Sequence, residues 1–271
     1  MVITNLKNTA ELEKILQKSG LPYSEIEIIR KELLYFDEYY LTSTGVVTVF
    51  RQEFVKDPYI ELERIPEVRL IAYPDSATLS EISAVFGNSN LPIITRASEK
   101  NLESIKALNF SELLNKKGEP TVLLPIHFII PRPARTSNKN ILPMTCADLA
   151  EIEELFKQQY SLRYRMVKLM HDACPDGCFV YRLRNKIAGV AFSRINRGEL
   201  ELYVRQLFVE ENMRRCGIGK TLYDALFRYA SKQNVHFAKA NIRQETVPFH
   251  EKLLTPERIE GVEYYLMRGK R

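Results

Sequence analysis

The sequence predicts an α/β (α+β) protein of two domains, and three observations carry that expectation. Strand-like and helix-like apolar periodicities alternate along the chain. The pattern breaks at Pro131 and Pro133, in a polar stretch running to Lys139, and then starts again. At 271 residues the chain is long for one domain and comfortable for two of about 130 each.

In the first half, residues 10–17 place Leu12, Ile15 and Leu16 on one helical face, with Asn8 and Glu11 spaced as a capping pair. A second helix is expected over 25–34. Extended runs at 39–41 and 46–50 flank Ser43, Thr44 and Gly45, a hairpin signal. Strands are expected at 59–62, 68–72 and 92–96, helices at 78–86 and 100–108, and one long extended run at 121–130. Arg132 to Lys139 is the linker, and the boundary is placed near residue 138. The two domains are therefore expected at 1–138 and 139–271.

The second half opens with a short strand at 141–143. Thr145 caps a helix with Asp148 three residues on, and Leu149, Ile152, Leu155 and Phe156 form the helix's apolar face. Residues 162–171 give a second helix. Runs at 178–183 and 187–193 pair across Arg184, Asn185 and Lys186. A strand at 200–209 follows, then a polar turn, then a helix whose apolar positions are Leu222, Ala225, Leu226, Tyr229 and Ala230. A strand at 235–242, a short helix at 247–254 and a last strand at 262–267 are expected to close the domain.

The polar turn is the most informative stretch of the chain. A strand that ends in a glycine loop and restarts as a helix presents a row of backbone N–H groups to one point. The helix N-terminus adds partial positive charge there, so the point attracts an anion. Gly217 and Gly219 let backbone approach a phosphate closely, and Arg214, Arg215 and Lys220 surround it with cations. The spacing is neither G-x-G-x-x-G nor that of a P-loop. Arg214-x-x-Gly217-x-Gly219 between a strand ending Leu207, Phe208, Val209 and a helix resembles the pyrophosphate loop of the GNAT superfamily of acyl-CoA-dependent N-acyltransferases.

The resemblance covers residues from about 140 to 271 and is specific in that one motif. It implies a GNAT fold for the second domain: a central mixed, mostly antiparallel sheet flanked by helices. It also implies acyl transfer from acetyl-CoA, or another acyl-CoA, to an amine. The diphosphate cradle would be Arg214, Arg215, Cys216, Gly217, Ile218, Gly219, Lys220 and Thr221. The pantetheine arm would run along Leu207, Phe208 and Val209, where a backbone N–H polarises the thioester carbonyl. Asn241 matches a family position that contacts the cofactor.

The amine must lose a proton before it attacks, and the resemblance implies a carboxylate base on this strand. Glu201 reads either as that base or as a solvated strand-end carboxylate, with Glu199 nearer the strand's mouth. Tyr203 shares a face with Glu201 by the two-residue period and is a candidate for orienting substrate. The family's usual general-acid Tyr is replaced here by His250, and the Gly-Phe that should follow is Leu254 and Thr255. His250 reads either as an acid near neutral pH or as a histidine on a surface helix.

The first half carries traces of the same plan. Asn8 to Ile15 aligns with Thr145 to Ile152 at a constant offset, and residues 93–110 run strand, helix, then Leu108, Asn109, Phe110. The first domain is accordingly a degenerate GNAT-like repeat or an unrelated α/β domain. Between residues 60 and 86 it has no R-x-x-G-x-G, only Tyr73, Pro74, Asp75 and Ser76 before the helix, so no cofactor site is expected there.

Composition narrows the classes further. Hydrophobic residues make 45% and charged residues 27%, both normal for globular proteins. The net charge of +5 suits an anionic cofactor but is spread too evenly for a nucleic-acid footprint. No apolar run has transmembrane length and the first residues lack a signal-peptide core, so a cytoplasmic protein without membrane partners is expected. Four cysteines without a framework fit a reducing compartment. His171, Cys174, Cys178 and Cys146 are zinc-ligand types, but they lack paired knuckles, and Pro175-Asp176-Gly177 is a good turn; no metal is expected. Cys216 is either a reactive thiol or a small filler. The expected partner is an amine-bearing small molecule or a protein or peptide acceptor, with a homodimer possible. A non-catalytic acyl-CoA sensor is the rival reading.

Overall fold

A computed structural model of the chain describes the backbone at residues 3–4, 38–41, 46–52, 65–70, 93–115, 117–132, 138–157, 164–254, 256–259 and 261–268. The helices expected at 10–17, 25–34 and 78–86 and the strand at 59–62 lie outside these residues. In chain order the described elements begin with strands β1 (Ile3–Thr4), β2 (Glu38–Leu41), β3 (Val46–Gln52), β4 (Ile65–Leu70) and β5 (Ile93–Ser98). Helix α1 (Glu99–Lys106) and strands β6 (Ser111–Glu112), β7 (Val122–Ile129) and β8 (Ile141–Pro143) follow. Next come α2 (Leu149–Lys157), α3 (Tyr164–Ala173), β9 (Cys178–Leu183), β10 (Lys186–Asn196) and β11 (Glu201–Val209). The chain continues with α4 (Ile218–Lys232), β12 (Phe237–Arg243), α5 (Val247–Leu253), β13 (Pro256–Ile259) and β14 (Glu263–Arg268).

The described residues form two compact units, and their borders differ from the boundary near residue 138 that the Pro-rich stretch suggested. One unit takes the residues up to Leu123 and those from Gly261 onward; the other takes those from Leu124 to Ile259. The chain therefore passes between units inside β7. Its last strand, expected to close the second domain, belongs to the first unit, where it pairs antiparallel with β5 from Glu263 opposite Ser98 to Arg268 opposite Ile93.

Within the first unit the strand order is β1-β2-β3-β4-β5-β14, with β6 on β14. The neighbours are antiparallel except β4 and β5, which pair in parallel at Glu67 and Ile94. Within the second unit the order is β8-β9-β10-β11-β12-β7, with β13 on β7. Here β8, β9, β10 and β11 are antiparallel neighbours, β13 is antiparallel to β7, and the fourth and fifth strands, β11 and β12, pair in parallel. The two units thus repeat one strand order with one parallel pair in the same place. The sixth position in each unit is filled by a strand from the other side of the Pro-rich stretch, β14 in the first and β7 in the second.

Local sequence explains the second unit's elements. The β9–β10 hairpin closes on Arg184 and Asn185, both at positive φ (50° and 64°), as a two-residue turn matched to strand twist requires. Thr145 and Asp148 form the expected capping box: the Thr145 amide and hydroxyl both donate to Asp148 Oδ2, at 2.7 and 2.8 Å. Burial raises the Asp148 pKa, but the Thr145 amide and the Arg182 guanidinium outweigh it and hold the carboxyl below its ordinary range.

The sheet of the second unit is covered on both faces. On one, Leu202, Val204, Ala238, Ala240, Ile126 and Phe128 pack against the α4 residues Leu222, Tyr223, Leu226 and Phe227. Phe128 meets Tyr223 and Phe227 edge-on, with ring centroids 6.4 and 6.0 Å apart. On the other face, Phe208 meets Phe156 of α2 at 5.0 Å. Gly189 lets α4 approach β10 closely: a Cβ there would lie 2.9 Å from Ile218 and 3.1 Å from Leu222 and from the Phe208 carbonyl.

Candidate functional site

The site is built where β11 and β12 part. They pair in parallel from Glu201 opposite Phe237 to Val204 opposite Ala240, and the pairing stops there. At that point β11 also carries a bulge. Ser193 of β10 faces Val204 while its neighbour Phe192 faces Gln206, so Arg205 is the extra residue of the bulge. The bulge exchanges faces: Leu202 and Val204 point to the α4 side before it, whereas Leu207 and Val209 pack on that side after it.

Beyond the bulge, β11 is held by β10 alone. The Glu210 amide donates to the Ala188 carbonyl at 2.9 Å. By antiparallel alternation, the N–H and C=O groups of Phe208 and Gln206 then also face β10. Those of Leu207 and Val209 face the opposite edge, the one β12 has left. This edge can hydrogen-bond an extended ligand.

The strand leads into a 3₁₀ turn at Glu211–Met213 and a loop in which Arg215 (φ 65°) and Gly217 (φ 80°) are both left-handed. Gly217 is the N-cap of α4 and offers no side chain to cap it. Among the described residues, no backbone acceptor outside the helix takes the amides of Ile218, Gly219 or Lys220; the first amide of this turn to be bonded back is that of Thr221, to the Gly217 carbonyl at 3.0 Å. A Cβ added at Gly217 would meet nothing within 4 Å. The space in front of these amides is therefore open, and Arg214, Arg215, Cys216 and Lys220 around it are exposed. Gly219 serves packing instead. A Cβ there would come within 2.8 Å of the Phe249 ring, so this glycine seats α5 on α4.

Glu201 lies at the closed end of the opening, on the face away from α4. It is 8% exposed, and burial raises its pKa above the usual carboxylate range, opposed by the charges of His127 and Lys239. Its Oε1 is 3.0 Å from His127 Nδ1. Tyr203 shares its face, with the Arg194 guanidinium 5.0 Å from the ring centroid. Glu199, by contrast, sits in the turn before β11 and accepts a hydrogen bond of 2.8 Å from Asn196 Nδ2. Asn241, on β12 past the parting point, has a buried side-chain oxygen with no hydrogen-bond partner among the described residues.

His250 is neither the surface histidine nor a protonated acid of the sequence reading. It is 7% exposed, and its Nδ1 is 3.1 Å from the Tyr223 hydroxyl. Burial pushes its pKa down to about 4, so it is neutral at pH 7. The same burial pushes the Tyr223 phenol above its ordinary value. This pair ties α5 to α4.

The zinc candidates do not converge. His171 Nδ1 faces Asp172 at 3.3 Å, the Cys174 thiol faces Tyr229 OH at 3.3 Å, and the Cys178 thiol donates to the Cys174 carbonyl at 3.1 Å. Among the described residues no three His, Cys, Asp or Glu side chains group to hold a metal ion. Among them, too, no helix is long and apolar enough to cross a membrane.

Sequence reasoning missed His127. It lies 74 residues before Glu201, on a strand read as part of the first domain. A polar residue between Ile126 and Phe128 marks only the outer face of a strand.

Comparison with known proteins agrees with this geometry. The model of the acetyltransferase (GNAT) family matches residues 146–254. No curated protein matches the chain. Among solved structures, a GCN5-related N-acetyltransferase from Sphaerobacter thermophilus is similar over 99% of this chain and 95% of its own, at 10% identity and TM-score 0.60. One from Anabaena variabilis is similar over 99% of this chain and 72% of its own, at 10% identity and TM-score 0.59. A tandem GNAT protein from the clavulanic acid biosynthesis pathway is similar over 98% of this chain and 97% of its own, at 10% identity and TM-score 0.61. The chain therefore carries the GNAT fold, and its residues 146–254 match the model of the acetyltransferase (GNAT) family.

Proposed function

We propose that the second unit transfers an acetyl or related acyl group from a coenzyme A thioester to an amine. The observation that carries this reading is the joint between β11 and β12: a free strand edge leads into a helix N-terminus with open amides, and a buried carboxylate lies at the closed end. The residues fit the cosubstrate. The amides from Arg215 to Lys220, with Arg214 and Thr221 at the margins, would hold its diphosphate. Leu207, Phe208 and Val209 would hold its arm, and Asn241 Oδ1, a buried acceptor with no donor among the described residues, would accept a hydrogen bond from it.

The thioester supplies the acyl carbon, which bonds to the amine nitrogen as the carbon–sulfur bond breaks and coenzyme A leaves as the thiolate. Glu201 takes the proton that the amine gives up; its raised pKa brings it nearer to neutral pH and makes it a better base there. Tyr203, held under Arg194, would orient the amine. No acid role is assigned to His250, because burial lowers its pKa to about 4 and so leaves no imidazolium to give up a proton at pH 7. The acceptor class is an amine on a small molecule or a peptide. These roles are read from one half of the molecule and place no cofactor in the other.

The experiment has two arms. Coenzyme A should raise the melting temperature. Thiol release from acetyl-CoA across a panel of amines should be seen with wild type and be lost with Glu201→Gln. No melting shift with coenzyme A would overturn the reading at its first step.

A further inference from the structure

We propose that His127 is a positioning residue for Glu201: its imidazole N–H, brought by a strand from outside the family-matched segment, holds the carboxylate in place and in the form that accepts a proton. The inference rests on the acyl-transfer reading and adds a residue to the same site.

The placement follows from strand alternation. Ile126 and Phe128 are buried against α4, so His127 projects to the other face. Leu202 and Val204 are likewise buried against α4, so Glu201 projects to that same other face. Between them runs β12, two strand spacings across, or roughly 10 Å. The two side chains close that span to 3.0 Å. An ionised carboxylate only accepts, so the facing imidazole nitrogen carries the hydrogen.

The other charged groups around Glu201 act differently. Lys239, from β12, lowers its pKa through space, and Glu199, from the turn before β11, raises it. Arg194 of β10 lies over Tyr203, and Arg258 of β13 stands opposite His127 in register. Among the described residues, His127 alone combines charge with a hydrogen bond on the carboxylate. A carboxylate this buried would otherwise favour its neutral form and lose its use as a base. The bond also fixes which oxygen remains for substrate: Oε1 is engaged, leaving Oε2.

The test compares wild type, His127→Ala and His127→Gln. Melting with coenzyme A reports folding and cofactor binding. Carbon-13 NMR titration of the Glu201 carboxyl reports its ionisation without any turnover. The rate profile from pH 5.5 to 9 reports the base. His127→Ala should move the Glu201 titration to higher pH. Its kcat at pH 6 should fall on the order of tenfold and recover at the alkaline end, with KM for acetyl-CoA unchanged. His127→Gln, which restores an N–H donor without positive charge, should recover part of both effects. A Glu201 titration and pH profile that stay in place in His127→Ala overturn the proposal, whatever that variant does to stability. Should the titration move while wild type turns over no amine, the pairing stands and the acyl-transfer reading falls. Turnover with an unmoved titration removes the pairing alone.

Discussion

The two units share a strand order and a single parallel pair, and they differ in the sequence that leaves the parallel strand. In the second unit the chain leaves β11 through Arg214-x-x-Gly217-x-Gly219 and enters α4 with its first amides open. In the first, the chain from β4 to β5 has no such motif, only Tyr73, Pro74, Asp75 and Ser76 in the matching stretch. The shared strand order therefore occurs without that motif. Within the second unit Gly219 serves packing, seating α5 on α4, whereas a Cβ at Gly217 would meet nothing within 4 Å, so Gly217 is the glycine that packing does not explain and that points to a ligand.

The largest effect that would sharpen this contrast is chemical. Glu201→Gln should lower kcat by about 10²- to 10⁴-fold while leaving the coenzyme A melting shift intact, measured by thiol release and by melting. A loss of that shift would mean the carboxylate supports the fold rather than the reaction. The pH profile adds a sign. Because burial holds the Glu201 pKa above its ordinary 4.5, the acid limb of the rate should lie above that pH. The same shift means that Glu201 favours the folded state most below about 4.5 and loses that contribution as pH rises through its folded pKa.

Phe128→Ala tests the exchange of end strands. Although Phe128 precedes the Pro-rich stretch, it is wholly buried against Tyr223 and Phe227 of the second unit. Its truncation should cost that unit roughly 3–5 kcal/mol, read by urea denaturation with a probe in α4. A fragment of residues 139–271 should likewise be unstable, since it lacks β7 and carries β14 without β5. A stably folded 139–271 would show that the second unit does not need the strand.

Gly217→Val acts on the loop alone. A β-branched residue at φ 80° costs on the order of 1–3 kcal/mol and puts methyl groups into the open space before the amides. The coenzyme A shift should disappear while the apo protein still melts cooperatively. The smallest effect belongs to the cap: Thr145→Ala should destabilise by about 1 kcal/mol. The Asp148 contribution is in place above the ordinary aspartate value of 3.8 and fades as pH falls through the lowered one, so the variant and wild type should converge in acid.

Much of the second unit was legible because its signals are local. The capping pair Thr145 and Asp148, the Arg184–Asn185 turn and the apolar spacing of α4 each lie within a few residues. The loop was legible for the same reason, since backbone donors need only glycine and a helix start. Two features were not. His250 reads in sequence as an acid or as a surface histidine, and its burial, which pushes its pKa down to about 4, follows only from packing. The end strands read as belonging to their own halves, because a strand's residues state which face is apolar but not which sheet receives it.

By itself the sequence determined the element types of the second unit and the place of the glycine turn between β11 and α4, because each follows from periodicity or from the backbone freedom of glycine. Tertiary structure decided the rest: that β7 and β14 end each other's sheets, that His250 is buried and neutral, and that His127 meets Glu201. Those outcomes depend on contacts between residues far apart in the chain, and no local pattern encodes the distance at which two side chains come to rest.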